Sequence, residues 1–159
     1  MRLMTISDKG LELIKSFEGC KLFAYRDSVG VATIGYGHTK NVYMGQAITQ
    51  QQADNFLRED LQSCEKVLNA LGINLRQEEF DALCSWIFNL GVGNFTHSTM
   101  MKKMQANATD EEITDQLVRW FNAGGKPLKG LKRRRIAEAN IFLGKELYYL
   151  DKNEQIKKR

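Results

Sequence analysis

Apolar residues change their spacing once along this chain, and that change constrains the fold more than any other feature of the sequence. From Lys21 to His38 they fall in short runs, "LFAY" and "VATIGYG", punctuated by Gly30, Gly35 and Gly37. Short apolar runs between glycines mark strands joined by tight turns. A small antiparallel hairpin or three-stranded sheet is expected there. Beyond Gly45 the pattern becomes helical and stays so.

Thr49 and Gln52 have the spacing of a capping box at the start of a long amphipathic helix. It carries Ala53, Phe56, Leu57, Leu61, Cys64 and Leu68 and ends near Gly72. A second helix, about 76–90, sets Phe80, Leu83, Cys84 and Ile87 on one face, and "NFTHSTMMKKM" restarts a short helix capped by Ser98. Thr109 with Glu112 opens another that is expected to run to "FNAGG". A last helix follows "PLKG" and stops near Gly144, leaving "DKNEQIKKR" as a frayed tail. Ahead of the β stretch, Ser7 is the expected N-cap of a helix running to about Glu18, with Gly19 as its left-handed stop. The fold class is therefore α+β, mainly helical with a small antiparallel β element near the N-terminus. There are no internal repeats.

At 159 residues, with 43% hydrophobic and 26% charged residues and a single proline, the chain suits one core-forming domain. Two lobes are expected in it: a small β-containing lobe at about 20–48, and a helical lobe at about 72–150 that includes the N-terminal helix. Cys20, Cys64 and Cys84 are odd in number and widely spaced, which suggests reduced thiols rather than a disulfide framework or zinc site. Cys64 and Cys84 lie on apolar faces and should be inert, whereas Cys20 neighbours Glu18. The N-terminal segment carries Asp8, Lys9, Glu12 and Lys15 where a signal peptide needs an apolar run, and no stretch reaches transmembrane length. A cytosolic start with no stable membrane anchor is the expectation.

The net charge of +4 favours polyanionic partners: nucleic acid, anionic membrane or an acidic wall polymer. "KPLKGLKRRR" concentrates Lys126, Lys129, Lys132, Arg133, Arg134 and Arg135, yet no aromatic platform or nucleic-acid motif accompanies it. It reads as a solvated face, so no nucleic-acid partner is expected. His38 lacks a second ligand at metal-binding spacing and suits a structural hydrogen bond near the hairpin; His97 suits the surface. Trp86, Phe88, Phe95, Trp120 and Phe121 are the expected aromatic core.

Glu18 sits at i+7 on the stripe of Leu11 and Ile14, in the last turn of its helix. The negative end of the helix dipole and the apolar neighbours both disfavour its ionised form, which is how a general acid is prepared. Asp27 lies in the turn "RDSVG", where water and backbone amides favour ionisation. Thr33 follows Asp27 by six residues, an even offset across a tight turn that would bring its hydroxyl beside the carboxylate. Two unequal carboxyls facing one bond are what glycosidic hydrolysis needs. Each residue also has a plain alternative: a solvated helix-end glutamate, a turn-capping aspartate, a strand threonine.

The sequence resembles the phage lysozymes, or endolysins, of the T-even type, which are muramidases acting on bacterial peptidoglycan. The family's spacing, glutamate, eight residues, aspartate or cysteine, five residues, threonine, is met by Glu18, Asp27 and Thr33 within "FEG", "AYRD" and "GVATIGYGHT". Similarity continues through "FNLGVGNFTHSTMMKKM" and "RWFNAGGKPLKGLKRRRIAE", from about residue 6 to 143.

The resemblance implies a lysozyme-like fold with its site in a cleft between the β element and the helical lobe. Glu18 is then the general acid, Asp27 the base or nucleophile, and Thr33 the residue that orients the attacking water. Phe88, Asn89 and Ser98 match positions facing the saccharide, with a core aromatic and a helix cap as their plain alternatives. Gly130, Leu131, Arg134, Arg135 and Glu138 meet a further family pattern, in which Arg134 or Arg135 would support Glu18. The expected bond is that between N-acetylmuramic acid and N-acetylglucosamine, cut with inversion, by a monomer needing no cofactor and no metal. Such an enzyme accumulates in the host cytoplasm and reaches the periplasm or wall after a separate membrane pore, a holin, opens. A lytic transglycosylase needs the acid without a water-activating partner, so Asp27 with Thr33 speaks against it. A non-catalytic module binding peptidoglycan or nucleic acid accounts for the charge alone.

Overall fold

The computed structural model describes residues 2–145, 148–150 and 156–158. Two compact units divide the chain: Ile14–Ser63, and Met1–Leu13 with Cys64–Arg159. The order of elements begins with α1 (Asp8–Phe17), β1 (Lys21–Arg26), β2 (Ala32–Gly35) and α2 (Gln50–Asn69).

Within Ile14–Ser63, β1 and β2 pair antiparallel, Tyr25 opposite Thr33 and Arg26 opposite Ala32. Lys21 then pairs with Gly35, so four steps along β1 match two along β2. Extra residues on one strand bend it and free its backbone for another partner. That partner is residues 46–48: the Ala24 N–H donates to the Gln46 carbonyl and Ile48 donates to Leu22, both at 2.9 Å, with Phe23 opposite Ala47. Of the two expected forms the hairpin is the one present: the sheet has two strands, and residues 46–48 join it only through an isolated bridge. Gly35 and Gly37 take φ of 65° and 86°, which lets the chain reverse so that Ile34 and His38 exchange backbone hydrogen bonds of 2.9 and 2.8 Å. The α2 capping box is made in both directions, Thr49 N–H to Gln52 Oε1 at 2.8 Å and Gln52 N–H to Thr49 Oγ1 at 3.1 Å. Ala53, Leu57 and Leu61 on its inner face are buried, as are Ile14 and Ile34.

In the other unit, side chains hold an extended N-terminal strap. The amide of Met4 donates to Asn69 Oδ1 and Asn69 Nδ2 returns to the Met4 carbonyl, each at 2.9 Å. The Ile6 N–H reaches Glu65 Oε2 at 2.8 Å, and both the N–H and Oγ of Ser7 reach Asp81. Ser7 Oγ also accepts from the Gly10 N–H at 3.3 Å, the expected cap of α1. Helix α3 (Gln77–Leu90) is buried from Glu79 to Ile87. After it come α4 (Val92–Thr96), α5 (Thr99–Gln105), α6 (Asp110–Leu117), β3 (Asn122–Ala123), β4 (Lys126–Pro127), α7 (Lys129–Phe142), β5 (Tyr148–Leu150) and β6 (Ile156–Lys158).

Several expectations are corrected. Gly19 does not adopt the left-handed conformation; α1 closes with the Glu18 N–H on the Ile14 carbonyl at 3.0 Å. Helix α6 begins as expected at Thr109, whose Oγ1 accepts from the Glu112 N–H, but it stops at Leu117. "FNAGGKP" forms the β3–β4 hairpin instead, because two glycines with φ of 59° and 77° make a tight hairpin turn. Residues 156–158 of the supposed frayed tail run antiparallel to 148–150; residues 151–155 and 159 lie outside the described residues. The aromatic core holds Phe80, Trp86, Phe95 and Phe142, while Phe88, Trp120 and Phe121 are only half-buried. Trp120 meets the core edge-on, its ring 5.2 Å from that of Trp86.

Candidate functional site

Glu18 directly follows α1 and is half-buried. A network within the same unit fixes the helix end that carries it. Lys15, in the last turn of α1, places Nζ 3.0 Å from Asp54 Oδ1 and 5.5 Å from the centre of the Tyr36 ring. Gln50 Nε2 donates to Asp54 Oδ1 and to the Tyr36 hydroxyl, each at 3.0 Å. The hydrogen bond from Lys15 holds the Asp54 carboxyl below its ordinary range, against the opposing effect of burial. Burial raises the Tyr36 phenol, with the Gln50 hydrogen bond opposing. Cys20 Sγ lies 3.9 Å from Gln50 Oε1, at the edge of the same network.

Asp27 directly follows β1 and organises the turn. Its Oδ1 accepts from the amides of Val29 at 3.0 Å and Val31 at 2.8 Å, while its own N–H donates to the Val31 carbonyl at 2.9 Å. Gly30, with φ of 88°, returns its N–H to the Asp27 carbonyl, and Arg26 closes the turn on the Gly30 carbonyl at 3.0 Å. Asp27 therefore caps its turn, the plain role, while both side-chain hydrogen bonds fall on one oxygen. Thr33 is 3% exposed and donates its hydroxyl proton to the Val31 carbonyl at 2.8 Å. With Asp27 opposite Val31 and Tyr25 opposite Thr33, Asp27 and Thr33 are diagonal neighbours across the ladder.

A second polar cluster stands behind this hairpin, and sequence reasoning found only half of it. His38 is 4% exposed, stacks on Phe56 with ring centres 4.1 Å apart, and presents Nδ1 to both oxygens of Asp60 at 2.9 and 3.0 Å. The structural role expected of His38 is what it has. Its partner was not foreseen, because Asp60 lies 22 residues away with nothing local to mark it. Burial raises the Asp60 carboxyl, with His38 opposing.

The remaining expected site residues lie in the other unit. Phe88 and Asn89 are half-buried near the end of α3, and Asn89 Oδ1 accepts from Arg135 Nη2 at 2.8 Å. Ser98 is buried; its Oγ caps α5 by accepting from the Met101 N–H at 3.0 Å and donates to the Phe95 carbonyl at 2.6 Å. Arg134 and Arg135 converge on Glu138, itself fully buried, which also accepts from Ser85 Oγ at 2.5 Å. Arg135 Nε lies 2.7 Å from Glu138 Oε1 as an ion pair, off the line of a hydrogen bond, while Nη2 donates to Oε2 at 3.1 Å. Burial lowers the Arg135 guanidinium's affinity for its proton, and Glu138 opposes this. The basic run is thus not one solvated face: Lys126, Lys129 and Lys132 are exposed, Arg134 and Arg135 buried. Glu138 was visible as the last residue of a spacing pattern, and only burial reveals it as the anchor of both arginines.

Comparison with known proteins adds a further finding. The phage lysozyme family profile matches residues 15–138. An endolysin from Acyrthosiphon pisum secondary endosymbiont phage 1 is 45% identical over 145 residues, covering 87% of this chain and 98% of its own. Among solved structures, the endolysin from Escherichia coli O157:H7 phage FAHEc1 is 38% identical with a TM-score of 0.79, covering 88% of this chain and 94% of that one. The muramidase domain of SpmX from Asticaccaulis excentricus is 36% identical with a TM-score of 0.81, covering 87% and 97%. These neighbours share the mostly helical architecture with a small antiparallel sheet.

Proposed function

Because the chain belongs to the phage lysozyme family, whose members break down bacterial peptidoglycan, we propose that it hydrolyses the β-1,4 bond between N-acetylmuramic acid and N-acetylglucosamine. Glu18 protonates the leaving oxygen, and Asp27 activates the water that attacks the sugar. The observation that carries this reading is the committed hydroxyl of Thr33. With its proton held by the Val31 carbonyl, Thr33 Oγ1 offers only lone pairs, so it accepts a hydrogen bond from a water and aims that water's own lone pair. The amides of Val29 and Val31 occupy Asp27 Oδ1, and Oδ2 is the oxygen assigned to take the water's proton. A held water favours inversion at the anomeric carbon. Phe88 and Asn89 are assigned to the saccharide. Arg135 supports the amide of Asn89 through its 2.8 Å hydrogen bond.

In the host this activity serves lysis: a monomer made in the cytoplasm reaches the wall once a separate pore opens the membrane. The chemistry is tested by release of soluble muropeptides from purified Gram-negative sacculi, with new chain ends identified by mass spectrometry. The parent is expected to leave hydrolytic reducing ends, and Glu18→Gln to lower the rate by about a hundredfold or more. Anhydro-sugar ends would replace the reading with transglycosylation. Sacculi bound but not cut by either protein would leave a binding module. A same-configuration product in proton NMR would overturn inversion while leaving the hydrolase.

A further inference from the structure

Large exposed apolar side chains are unevenly distributed. Seven are exposed among the described residues, and five of them, Phe23, Val29, Val31, Tyr43 and Met44, fall within residues 23–44. Scattered single exposures need no explanation, whereas a concentration rimmed by polar groups marks an interaction surface. The backbone brings two of these segments together. Phe23 is 74% exposed and pairs with Ala47, three residues beyond Met44, and the Gln46 N–H donates to the carbonyl of Tyr43, itself 64% exposed. Val29 and Val31 form the tip of the same hairpin.

Val29 and Val31 belong to the turn that Asp27 caps, whereas Phe23 lies on the far side of the register shift from it. Exposure on β1 alternates at first, Lys21 and Phe23 outward, and changes phase across the register shift, so that Arg26 is outward while Tyr25 and Asp27 are half-buried. The chemistry of the surface is also distinct. Between residues 19 and 49 the charged side chains are Lys21, Arg26 and Lys40 against Asp27 alone; Asp27 Oδ1 accepts from the Val29 and Val31 amides, and Lys40 lies 3.9 Å from Glu59 of α2, both side chains exposed.

We propose that this lobe docks reversibly on an anionic lipid bilayer, the apolar side chains entering the headgroup region while Lys21, Arg26 and Lys40 meet lipid phosphates. A glycan strand fits less well, because Val29, Val31 and Met44 give sugar hydroxyls nothing to bond. A second copy of the chain also fits less well, since a two-fold contact through this patch sets its cations against their own copies. Aromatic and aliphatic tips flanked by lysine and arginine are what an interface accepts, and each signal alone is weak, so the attachment is reversible.

The test is flotation of the intact protein with vesicles of equal parts phosphatidylglycerol and phosphatidylcholine, and with phosphatidylcholine alone. Binding to the anionic vesicles should exceed binding to the neutral ones about tenfold and fall as salt rises. Phe23→Ser with Tyr43→Ser should abolish it. Lys21→Glu with Lys40→Glu should do so independently, and the thermal midpoint should be unchanged in both because all four side chains are on the surface. Equal flotation with neutral vesicles, no flotation at all, or undiminished binding by both variants would overturn the proposal. So would a dimer in sedimentation, or binding to sacculi, lost on the serine substitutions, either of which would assign the patch to that partner.

Discussion

Asp27 and Glu138 are two carboxylates that organise their surroundings in opposite ways. Asp27 stands half-exposed at a turn and is held by backbone amides on one oxygen. Glu138 is fully buried and takes two guanidinium groups and a hydroxyl across both of its oxygens. An acceptor fed by local amides folds with its own turn and takes both side-chain hydrogen bonds on one oxygen. A buried carboxylate saturated by charge has nothing left to react with and serves the fold alone. The same functional group is therefore left half-exposed at a turn or locked in the core by where its hydrogen bonds come from, and the half-exposed one is the carboxylate proposed above as the base.

The comparison breaks first at Glu138. Glu138→Gln takes from the buried Arg135 the carboxylate on which both arginines converge, and the expected loss is about 3–5 kcal/mol in urea unfolding. A loss below about 1 kcal/mol would mean that the cluster is solvated in solution and is not a structural pole. Asp27 should behave in reverse. Asp27→Asn keeps an oxygen for the amides of Val29 and Val31, so stability should change by under about 1 kcal/mol while muropeptide release falls about a hundredfold to ten-thousandfold. Asp27→Ala should add a stability loss of roughly 1–2 kcal/mol from the uncapped turn. If Asn and Ala variants were equally stable, the two amide hydrogen bonds would contribute nothing. Thr33→Val sits between the poles: it preserves shape, removes one of the two donors on the Val31 carbonyl, which keeps the Asp27 N–H, at a cost of about 1 kcal/mol or less, and removes the lone pairs assigned to the water. Its activity should fall by more than its stability predicts, and a parallel fall would reduce Thr33 to a strand residue.

The sequence revealed these two poles unequally, for a physical reason. The hairpin was legible because its determinants are local: glycines at positive φ, an aspartate two and four residues from the amides it accepts, and a threonine at an even offset. The caps of Ser7, Thr49, Ser98 and Thr109 were legible on the same ground. The α7 cluster was not, since three consecutive arginines look like a solvated face until a buried glutamate one turn on draws two of them inward. "FNAGG" misled through the opposite error, a helical pattern extended past Leu117 into two glycines whose turn forms a hairpin. Asp60 and Ser85 were invisible because their partners lie 22 and 53 residues away.

A third carboxylate sharpens the contrast at the small end of the scale. Asp54 has a charged partner, as Glu138 does, yet it and Lys15 remain 29% and 32% exposed. Water screens such a pair, so Asp54→Asn should cost less than about 1 kcal/mol. The sign of its pH dependence is fixed by the shift. The Lys15 hydrogen bond lowers the folded carboxyl below the ordinary value of 3.8, so the folded state favours the ionised form. That contribution is fully present above the unfolded value and is lost as pH falls through the lower folded one. Urea midpoints of parent and Asp54→Asn should therefore differ slightly near neutrality and converge in acid. A difference that stayed constant down to about pH 2.5 would assign the effect to the Gln50 amide rather than to the Lys15 charge. Because Lys15 and Asp54 anchor the helix end bearing Glu18, the same substitution should shift muropeptide release by no more than about twofold if the anchor is as weak as its exposure implies.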